Sequence, residues 1–506
     1  MPVTQPPAPA RSSYAEAVRS TALIGGASAI NLVLGLVRNK WLAVQLGPMG
    51  LGWFTNYNQI VQMVSALAGL GLNNSGVRQV AEAEATGDKQ NLARTIVALR
   101  RVAWVCAALG GALLILLAPW LATFTFQDAG QAAAIRWLGL AVFLGAISGA
   151  QAALIQGLRR VGHLARLNVL GSLAATVASI PAVWFWEERG IIPFMLAVAG
   201  MTVLASWWYA RRVRVPPVAY PWRETWRAAG ALLSLGAAMM LSTLMVAGVG
   251  YLTRVLIQRH LGLEAAGHYH AASLLATYCV NFILQGLGAD FFPRLTAVAR
   301  DHAAMGRLLN EQTEVSLLIS GPAITGALAL APALLVVINS PAFLPALPCL
   351  RWLLLGTVLR VASWLLSFVV LAKGNARLYV LTEAGANLLM LGTTWFGVNR
   401  WGLVGAGVAF AATYLVYWLF MLGIARRLIG FRFSSANHRV LLLILGATAI
   451  AFAVPWCVPA PWDTAVGVTL SAGLSVHCAN LLAALAPECL PARLWRSLKA
   501  RLGLLG

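Results

Sequence analysis

The charged side chains inside long apolar segments are the residues of this sequence that could do chemistry. Arg360 lies near the middle of the apolar run 346–372, and Arg38 and Arg254 lie towards the ends of two other runs. A charge at the centre of a membrane-spanning helix costs roughly 2.5–3.5 kcal/mol on insertion scales, so such residues are functional candidates by default. Arg360 is too deep for its side chain to reach the interface easily, and it is the best single candidate for a cation inside a cavity.

These cations outnumber the acids inside the apolar segments, which are Asp290 and Glu383. A guanidinium group binds phosphate oxygens through two parallel hydrogen bonds. An excess of cations in a dehydrated path therefore favours a substrate that carries phosphate over a cationic drug or a metal ion. The two acids are candidates for an ion pair or for ion coupling, and an Arg360–Glu383 pair is the structural alternative to a substrate-binding Arg360. The candidate substrate-binding residues are Arg360, Arg38, Arg254 and Lys40.

Polar side chains also recur at helical spacing along four of the apolar segments, two in each half of the chain. Stripes on equivalent helices of two repeats are what two facing walls of one polar cavity require. For any single residue, the alternative is that small and polar side chains only pack helix against helix. The amide side chains that we expect to line the cavity are Asn31, Asn58, Gln62, Asn281 and Gln285.

The composition requires that most of the chain contacts lipid. Of its 506 residues, 59% are hydrophobic and only 10% are charged, and the mean hydropathy is +0.76. A soluble protein of this length needs far more charge to cover its surface. A spanning helix needs about 20 mostly apolar residues. That window predicts fourteen transmembrane helices, at 20–42, 52–72, 101–122, 133–157, 167–186, 191–210, 228–253, 269–290, 313–338, 346–372, 378–398, 403–424, 440–456 and 463–486.

Lysine and arginine are concentrated in alternate loops, which orients the chain. The loops 158–166 and 211–227 are basic, whereas 123–131 and 458–463 contain neither residue. By the positive-inside rule, the basic loops and both termini are cytoplasmic, in a multi-pass protein of the bacterial inner membrane. The same distribution accounts for the net charge of +21 without a nucleic-acid partner.

An internal repeat divides the chain into two halves. The segment 46–54, LGPMGLGWF, matches the segment 261–269, LGLEAAGHY, at several positions, and each copy turns on a glycine. Two copies of the repeat with the same orientation in the membrane predict an all-α fold. This fold has two pseudo-symmetric six-helix bundles around a central cavity, plus two C-terminal helices. The predicted segments are a cytoplasmic tail at 1–19, an N-terminal bundle at 20–210, a cytoplasmic linker at 211–227, a C-terminal bundle at 228–425, two additional helices at 440–486 and a basic cytoplasmic tail at 487–506.

Features that an enzyme would need are missing from the sequence. No GxxxxGK[ST] stretch exists, so the chain has no P-loop. No outer loop is long enough for a catalytic domain, and the outer carboxylates form no paired motif, which disfavours a membrane glycan polymerase or ligase. The six cysteines show no metal-ligand spacing. We therefore expect a transporter that is not an enzyme and that uses no metal and no cofactor.

Four stretches of the sequence resemble a known family. The first, at residues 42–85, is LAVQLGPMGLGWFTNYNQIVQMVSALAGLGLNNSGVRQVAEAEA, and it resembles the opening signature of Wzx-type polysaccharide flippases. These belong to the multidrug/oligosaccharidyl-lipid/polysaccharide exporter superfamily, and the sequence is most similar to the enterobacterial-common-antigen type. The other stretches are AALIQGLRRVGHLARLNVLGSLAATV, LGTVLRVASWLLSFVVLAKGNARLYVLTEAGANLLML and GLVGAGVAFAATYLVYWLF.

This resemblance implies a fold, a substrate and partners. The fold would be two six-helix bundles around a cationic cavity that alternates its opening, with a basic residue where Arg360 stands. The substrate would be an undecaprenyl-diphosphate-linked oligosaccharide, flipped from the cytoplasmic to the periplasmic leaflet of the bilayer for O-antigen-like polysaccharide synthesis. A polysaccharide polymerase and the chain-length machinery would be candidate partners.

The two predicted helices after residue 439 depart from the family, since most members have twelve helices. In its count of fourteen helices the sequence resembles the lipid II flippases of the same superfamily, so a lipid II exporter or a drug exporter stays an alternative. A membrane glycan polymerase or ligase is the alternative from a different class. The sequence leaves open the sugars of the substrate, the driving force and the role of the last two helices.

Overall fold

The computed structural model describes residues 10–213, 218, 221–459 and 462–485. The backbone alone is described for residues 10–25, 74, 227–229, 231–239, 242, 282–283, 285–290 and 376. Within the described ranges the regular structure consists of fourteen α-helices and three short 3-10 helices, with no β-strand. The predicted all-α fold is confirmed.

The helices form two compact units, Met1–Val255 and Leu256–Gly506, and most of the seventh helix belongs to the first unit. The predicted division at residues 211–227 stays a prediction. In chain order the helices are α1 (Ala10–Gly69), α2 (Leu72–Ala85), α3 (Lys89–Phe126), α4 (Ala132–Gly157), α5 (Val161–Trp186), α6 (Ile191–Ala210), α7 (Trp222–Leu261), α8 (Leu263–Ala297), α9 (His302–Ala329), α10 (Ala331–Ile338), α11 (Leu347–Ala372), α12 (Ala376–Ile429), α13 (Ser435–Cys457) and α14 (Trp462–Leu485).

Two glycines that the repeat aligns adopt the same backbone conformation. Gly47, at the kink that divides α1 into two helices, has φ 62° and ψ −169°. Gly262, between α7 and α8, has φ 89° and ψ 173°. This region of backbone space is accessible essentially to glycine alone, because a Cβ atom would clash with the backbone there. A third glycine, Gly402, makes the corresponding kink within α12, at φ 59°.

Helices cover the fourteen predicted windows, apart from residues at the window ends. Among the described residues, seven helical stretches are long and apolar enough to cross a membrane, or eight if the bent pair α9–α10 counts as one span. The predicted span at 313–338 is covered by α9 and α10, which meet at 78°. Pro332 near the start of α10 has no backbone N–H for a helical hydrogen bond, which favours a break at this point. The number of spans stays a prediction.

Small residues set the spacing of helices in the first unit. Helix α3 packs along α4, and α1 lies against α3, α4 and α5. A Cβ atom on Gly111 of α3 would lie 2.9 Å from the carbonyl oxygen of Gly139 on α4, too close for any side chain. Close backbone approach of this kind holds helices together in lipid, where no hydrophobic driving force acts between them.

In the second unit α11 is the central helix, because it packs against α8, α9, α12 and α13. The most apolar window of the segment Pro341–Ala372 is 72% buried, more than in any other candidate span of the described residues. Its contact with α12 depends on Gly407, where a Cβ atom would lie 2.7 Å from the carbonyl oxygen of Cys349. A helix enclosed by protein on most sides can carry a charged residue that does not face lipid.

The hairpin of α3 and α4 provides a test of the predicted orientation. Ala129 and Arg160 lie exposed at opposite ends of α4, which at about 1.5 Å per residue is long enough to cross the bilayer core. In a background without native cysteines, we expect Ala129→Cys to react with a membrane-impermeant thiol reagent added to intact cells. Arg160→Cys should react only after permeabilisation.

The control is the same pair labelled in inside-out vesicles, where the pattern should invert. Labelling of Arg160→Cys from outside intact cells would contradict the orientation, since every later loop depends on this hairpin.

Candidate polar sites in the helical units

Arg254 of α7 is held in place by two hydrogen bonds within the first unit. Its Nε donates to Oγ1 of Thr55 on α1 at 3.0 Å, and its Nη1 donates to the carbonyl oxygen of Gly250 at 3.0 Å. Thr55 is buried and Arg254 is half-buried. These two hydrogen bonds therefore hold the guanidinium of Arg254 in one orientation.

Gln59 lies beside the same guanidinium, one helical turn after Thr55. A Cβ atom on Gly250 would lie 2.7 Å from Nε2 of Gln59 and 3.5 Å from Nη1 of Arg254. Glycine at this position thus leaves the space that the buried amide of Gln59 and the guanidinium occupy. Thr55 and Gln59 were missed by the sequence analysis, which favoured a stripe one residue out of phase.

The predicted stripe of Asn58 and Gln62 is less buried than Thr55 and Gln59. Gln62 is exposed and Asn58 is half-buried, whereas Thr55 and Gln59 are buried. Both pairs recur at helical spacing, so periodicity alone does not distinguish them. The signal that could have pointed to the buried pair is Arg254 itself. A cation in an apolar segment needs acceptors nearby, and Thr55 and Gln59 have polar side chains that can accept.

A second polar network lies at the end of the first unit where α3 meets α4. The Tyr57 hydroxyl donates to Oε1 of Gln131 at 2.7 Å, and Nε2 of Gln131 donates to Oδ2 of Asp128 at 2.9 Å. The hydrogen bonds from Gln131 and from the backbone N–H of Gly130 lower the pKa of Asp128 below its usual value. Nearby, the hydroxyls of Thr125 and Tyr251 share a buried hydrogen bond of 2.6 Å. These contacts join α1, α3 and α7.

Arg360 differs from Arg254 in its surroundings. It is half-buried on α11, between the buried residues Leu359 and Val361. Across the stretches that the structure describes, its guanidinium makes no hydrogen bond and no ion pair. Its backbone carbonyl alone has a polar side chain as partner, the Oγ of Ser363, which donates to it at 3.0 Å. A cation left half-buried without an internal partner is costly in an apolar medium.

Among the described residues Glu383 makes no ion pair with Arg360, the alternative that the sequence left open. Its Oε1 accepts a hydrogen bond of 2.9 Å from the hydroxyl of Tyr417. The reason is the kink at Gly402, which folds α12 into an antiparallel hairpin. Residues at similar distances from the kink then face each other, as the 2.8 Å contact between the hydroxyls of Thr393 and Thr413 also shows.

The remaining predicted residues are scattered. Arg38, Lys40, Asn31 and Asn281 are half-buried, and Oδ1 of Asn31 is buried without a hydrogen-bond partner among the described residues. The side chains of Gln285 and Asp290 lie outside the described part of the structure. Arg254 and Arg360 are both half-buried arginines on helices, but Arg254 has acceptors on it and Arg360 has none among the described residues.

Solved structures define the class of protein to which this fold belongs. A multidrug resistance transporter of the MATE family, in the MOP superfamily, aligns in its inward-facing conformation with a TM-score of 0.66 at 16% identity, over 79% of this chain and 95% of that one. The lipid II flippase MurJ, in its inward closed conformation, aligns with a TM-score of 0.66 at 12% identity, over 91% of this chain and 99% of that one. At these identities the likeness shows the fold alone, which is that of multi-pass membrane transporters.

The family follows from the sequence match. The family described as "Polysaccharide biosynthesis protein" matches residues 42–348, more than half of the chain, and the chain belongs to this family. The lipid III flippase of Escherichia coli (strain K12) is 24% identical over 398 residues, which are 78% of this chain and 94% of that protein. The resemblance described from the sequence is confirmed.

The hairpin of α12 generates a prediction about Glu383. Replacing Tyr417 by Phe removes the donor from a half-buried carboxylate, so we expect the purified protein to lose roughly 1–2 kcal/mol of stability. Glu383→Gln should cost less, because its amide oxygen still accepts. In thermal unfolding, the double variant Tyr417→Phe with Glu383→Gln should show coupling of about 1 kcal/mol.

Arg360→Gln combined with Glu383→Gln is the matched control, and we expect its two effects to add. Coupling between residues 360 and 383, with additivity between residues 383 and 417, would instead indicate an Arg360–Glu383 ion pair. That result would contradict the hydrogen bond between Tyr417 and Glu383.

Proposed function

We propose that this protein is a flippase for an undecaprenyl-diphosphate-linked oligosaccharide. It moves this lipid from the cytoplasmic to the periplasmic leaflet of the bacterial inner membrane by alternating access, for the synthesis of a cell-surface polysaccharide. Family membership supports a role in polysaccharide biosynthesis, and the relative named lipid III flippase aligns over nearly its whole length. Both termini lie in the cytoplasm, as the distribution of basic loops indicates.

One observation carries this proposal beyond the family. Arg360 is a half-buried cation on the most enclosed helix, and no described residue neutralises or accepts from it. In an apolar medium the favourable partner for a guanidinium is an anion that arrives from outside the protein. A diphosphate presents several oxygens in the geometry that a guanidinium fork matches.

Arg254 supplies a second cation of a different kind. Thr55 and the carbonyl of Gly250 hold its guanidinium in one orientation, so it binds an anion with less loss of side-chain entropy than a free arginine does. Arg38 and Lys40 add positive charge near the end of the first helix of α1. We propose that Arg360 makes the specific contact with the diphosphate, and that Arg38, Arg254 and Lys40 are further substrate-binding cations.

The chemistry required of such a flippase is binding and release alone. Moving a lipid headgroup between leaflets breaks no covalent bond, so the protein needs neither a nucleophile nor a general base. It needs a polar surface that replaces the water around the diphosphate and sugars, and the cations provide the charged part of that surface. The polymerase that would consume the flipped lipid, and the chain-length machinery, are proposed partners in the same membrane.

The test of this proposal is substitution of Arg360. Arg360→Ala should stop flipping while the protein remains inserted and abundant, because the residue contributes no described hydrogen bond from its side chain. Arg360→Lys should keep roughly a tenth of the activity, since an ammonium retains the charge and loses the fork. Arg360→Glu should be as inactive as the alanine variant, because it repels phosphate.

The measurement is accumulation of the lipid-linked oligosaccharide on the cytoplasmic face of cells that lack the native copy. Arg136→Ala is the matched control, since Arg136 is an exposed arginine at the start of α4, and this variant should flip normally. Full complementation by Arg360→Ala at normal abundance would remove Arg360 from the substrate path.

A further inference from the structure

A cavity separate from the residues discussed above opens in the first unit, between α3, α4 and α6. Its volume is about 260 Å³. This is slightly below the roughly 300–1,000 Å³ that is typical of small-molecule sites, which fits a lipid headgroup better than an oligosaccharide. Its polar lining consists of Arg100, Gln151 and Arg211, and its apolar lining consists of Ala103, Trp104, Ile147, Ala150, Leu154, Trp207 and Ala210.

The polar wall of this cavity offers donors. Arg100 on α3 and Arg211 after α6 are exposed cations, and no acidic side chain is among the described residues that line the cavity. The hydroxyl of Ser206 donates to Oε1 of Gln151. The NH₂ group of Gln151 makes no hydrogen bond with another described residue, so it is available to donate to a ligand. Two guanidinium groups and an amide NH₂ form a set that suits a phosphate.

The apolar wall indicates that the ligand has a hydrocarbon part. Trp104 and Trp207 are 56% and 50% exposed, and they border the cavity on two different helices. The Arg211 guanidinium stacks on Trp208 at 3.8 Å and on Trp207 at 4.8 Å from the ring centroids. Tryptophan with arginine is the composition of the membrane interface, where rings sit at headgroup level and cations meet phosphates.

The position of the cavity along the helices agrees with this interpretation. Arg211 follows the last residue of α6, and the loop at Arg159 and Arg160 follows α4. These are the loops that the positive-inside rule assigns to the cytoplasm. A basic cavity between helices at this depth faces the headgroups of the cytoplasmic leaflet, which carries anionic lipid.

We propose that this cavity binds the phosphodiester headgroup of an anionic phospholipid, such as phosphatidylglycerol or cardiolipin, from the cytoplasmic leaflet. Arg100, Arg211 and the amide of Gln151 contact the phosphate, and Trp104 and Ile147 contact the start of the acyl chains. The bound lipid joins α3, α4 and α6 on their outer side and stabilises the first unit. The site is independent of the flippase function and uses none of the cations assigned to the transported lipid.

The experiment uses the full-length protein, delipidated in detergent, and measures lipid binding by native mass spectrometry and by the rise in unfolding temperature. Phosphatidylglycerol and cardiolipin should bind and stabilise the protein, and the zwitterionic phosphatidylcholine should not. The double variant Arg100→Gln with Arg211→Gln should bind phosphatidylglycerol roughly twenty-fivefold more weakly, because each cation near an anionic headgroup contributes about fivefold. The quantity compared is the rise that lipid adds to each variant's own unfolding temperature, because loss of the Arg211 stacking on Trp207 and Trp208 lowers that temperature without lipid.

The control is Arg426→Gln with Arg427→Gln, an adjacent exposed pair at the end of α12, which should bind the lipid as the unmodified protein does. Equal loss in this control, or equal binding of phosphatidylcholine, would reduce the effect to general surface charge and overturn the proposal. Millimolar inorganic phosphate should not displace the lipid. Displacement by inorganic phosphate would make this a site for a soluble anion, and displacement by a polyprenyl diphosphate alone would make it part of the substrate path. Either result would overturn the assignment to a phospholipid.

Discussion

An apolar medium penalises every polar group that has no partner, and this penalty governs the structure at each level. The backbone avoids this penalty by forming helices, in which the N–H and C=O groups hydrogen-bond to each other within the segment. Hydroxyl side chains meet it by donating to the carbonyl one turn earlier, as Thr357 does to Leu353 and Thr325 does to Gly321. Hydroxyls on neighbouring helices also pair with each other, as Thr325 and Thr448 do at 3.2 Å.

Arg254 and Arg360 respond to the same penalty in different ways. Arg254 has a hydroxyl and a carbonyl within reach, so its cost is met inside the protein. Arg360 has no such group among the described residues, and the carboxylate of Glu383 accepts from Tyr417 on the other arm of α12. A half-buried guanidinium without an acceptor among the described residues is the property expected of a residue that binds an anion.

Much of the fold could be predicted from the sequence, because hydropathy and glycine act locally. Apolar windows located the helices, and the aligned glycines Gly47 and Gly262 marked turns that only glycine adopts easily. The 78° bend between α9 and α10 was not predicted, since a hydropathy window carries no information about angle. The bend depends on Pro332 within an unbroken apolar run, a weaker signal than a change of polarity.

The site was harder to predict, because side-chain partners depend on which helices pack together. The position of Arg360 in the middle of an apolar run made it a candidate, and its role as a binding residue stays a prediction. Tyr417 as the partner of Glu383 could not be predicted from sequence order, because the hairpin in α12 is what brings these two residues together. Thr55 and Gln59 were missed, because their stripe differs by a fraction of a turn from that of Asn58 and Gln62, and only the packing of α7 distinguishes the two.

The central claim is that Arg360 receives its missing partner from a diphosphate. Equilibrium binding of a short-chain polyprenyl diphosphate to the purified protein tests this directly, with the corresponding monophosphate as a comparison. The account predicts that Arg360→Ala weakens binding of the diphosphate at least tenfold, the effect of losing a charge-assisted fork. It predicts a smaller effect on the monophosphate, which has fewer oxygens to bind. Equal affinity of the unmodified protein and the Arg360→Ala variant for the diphosphate would contradict it.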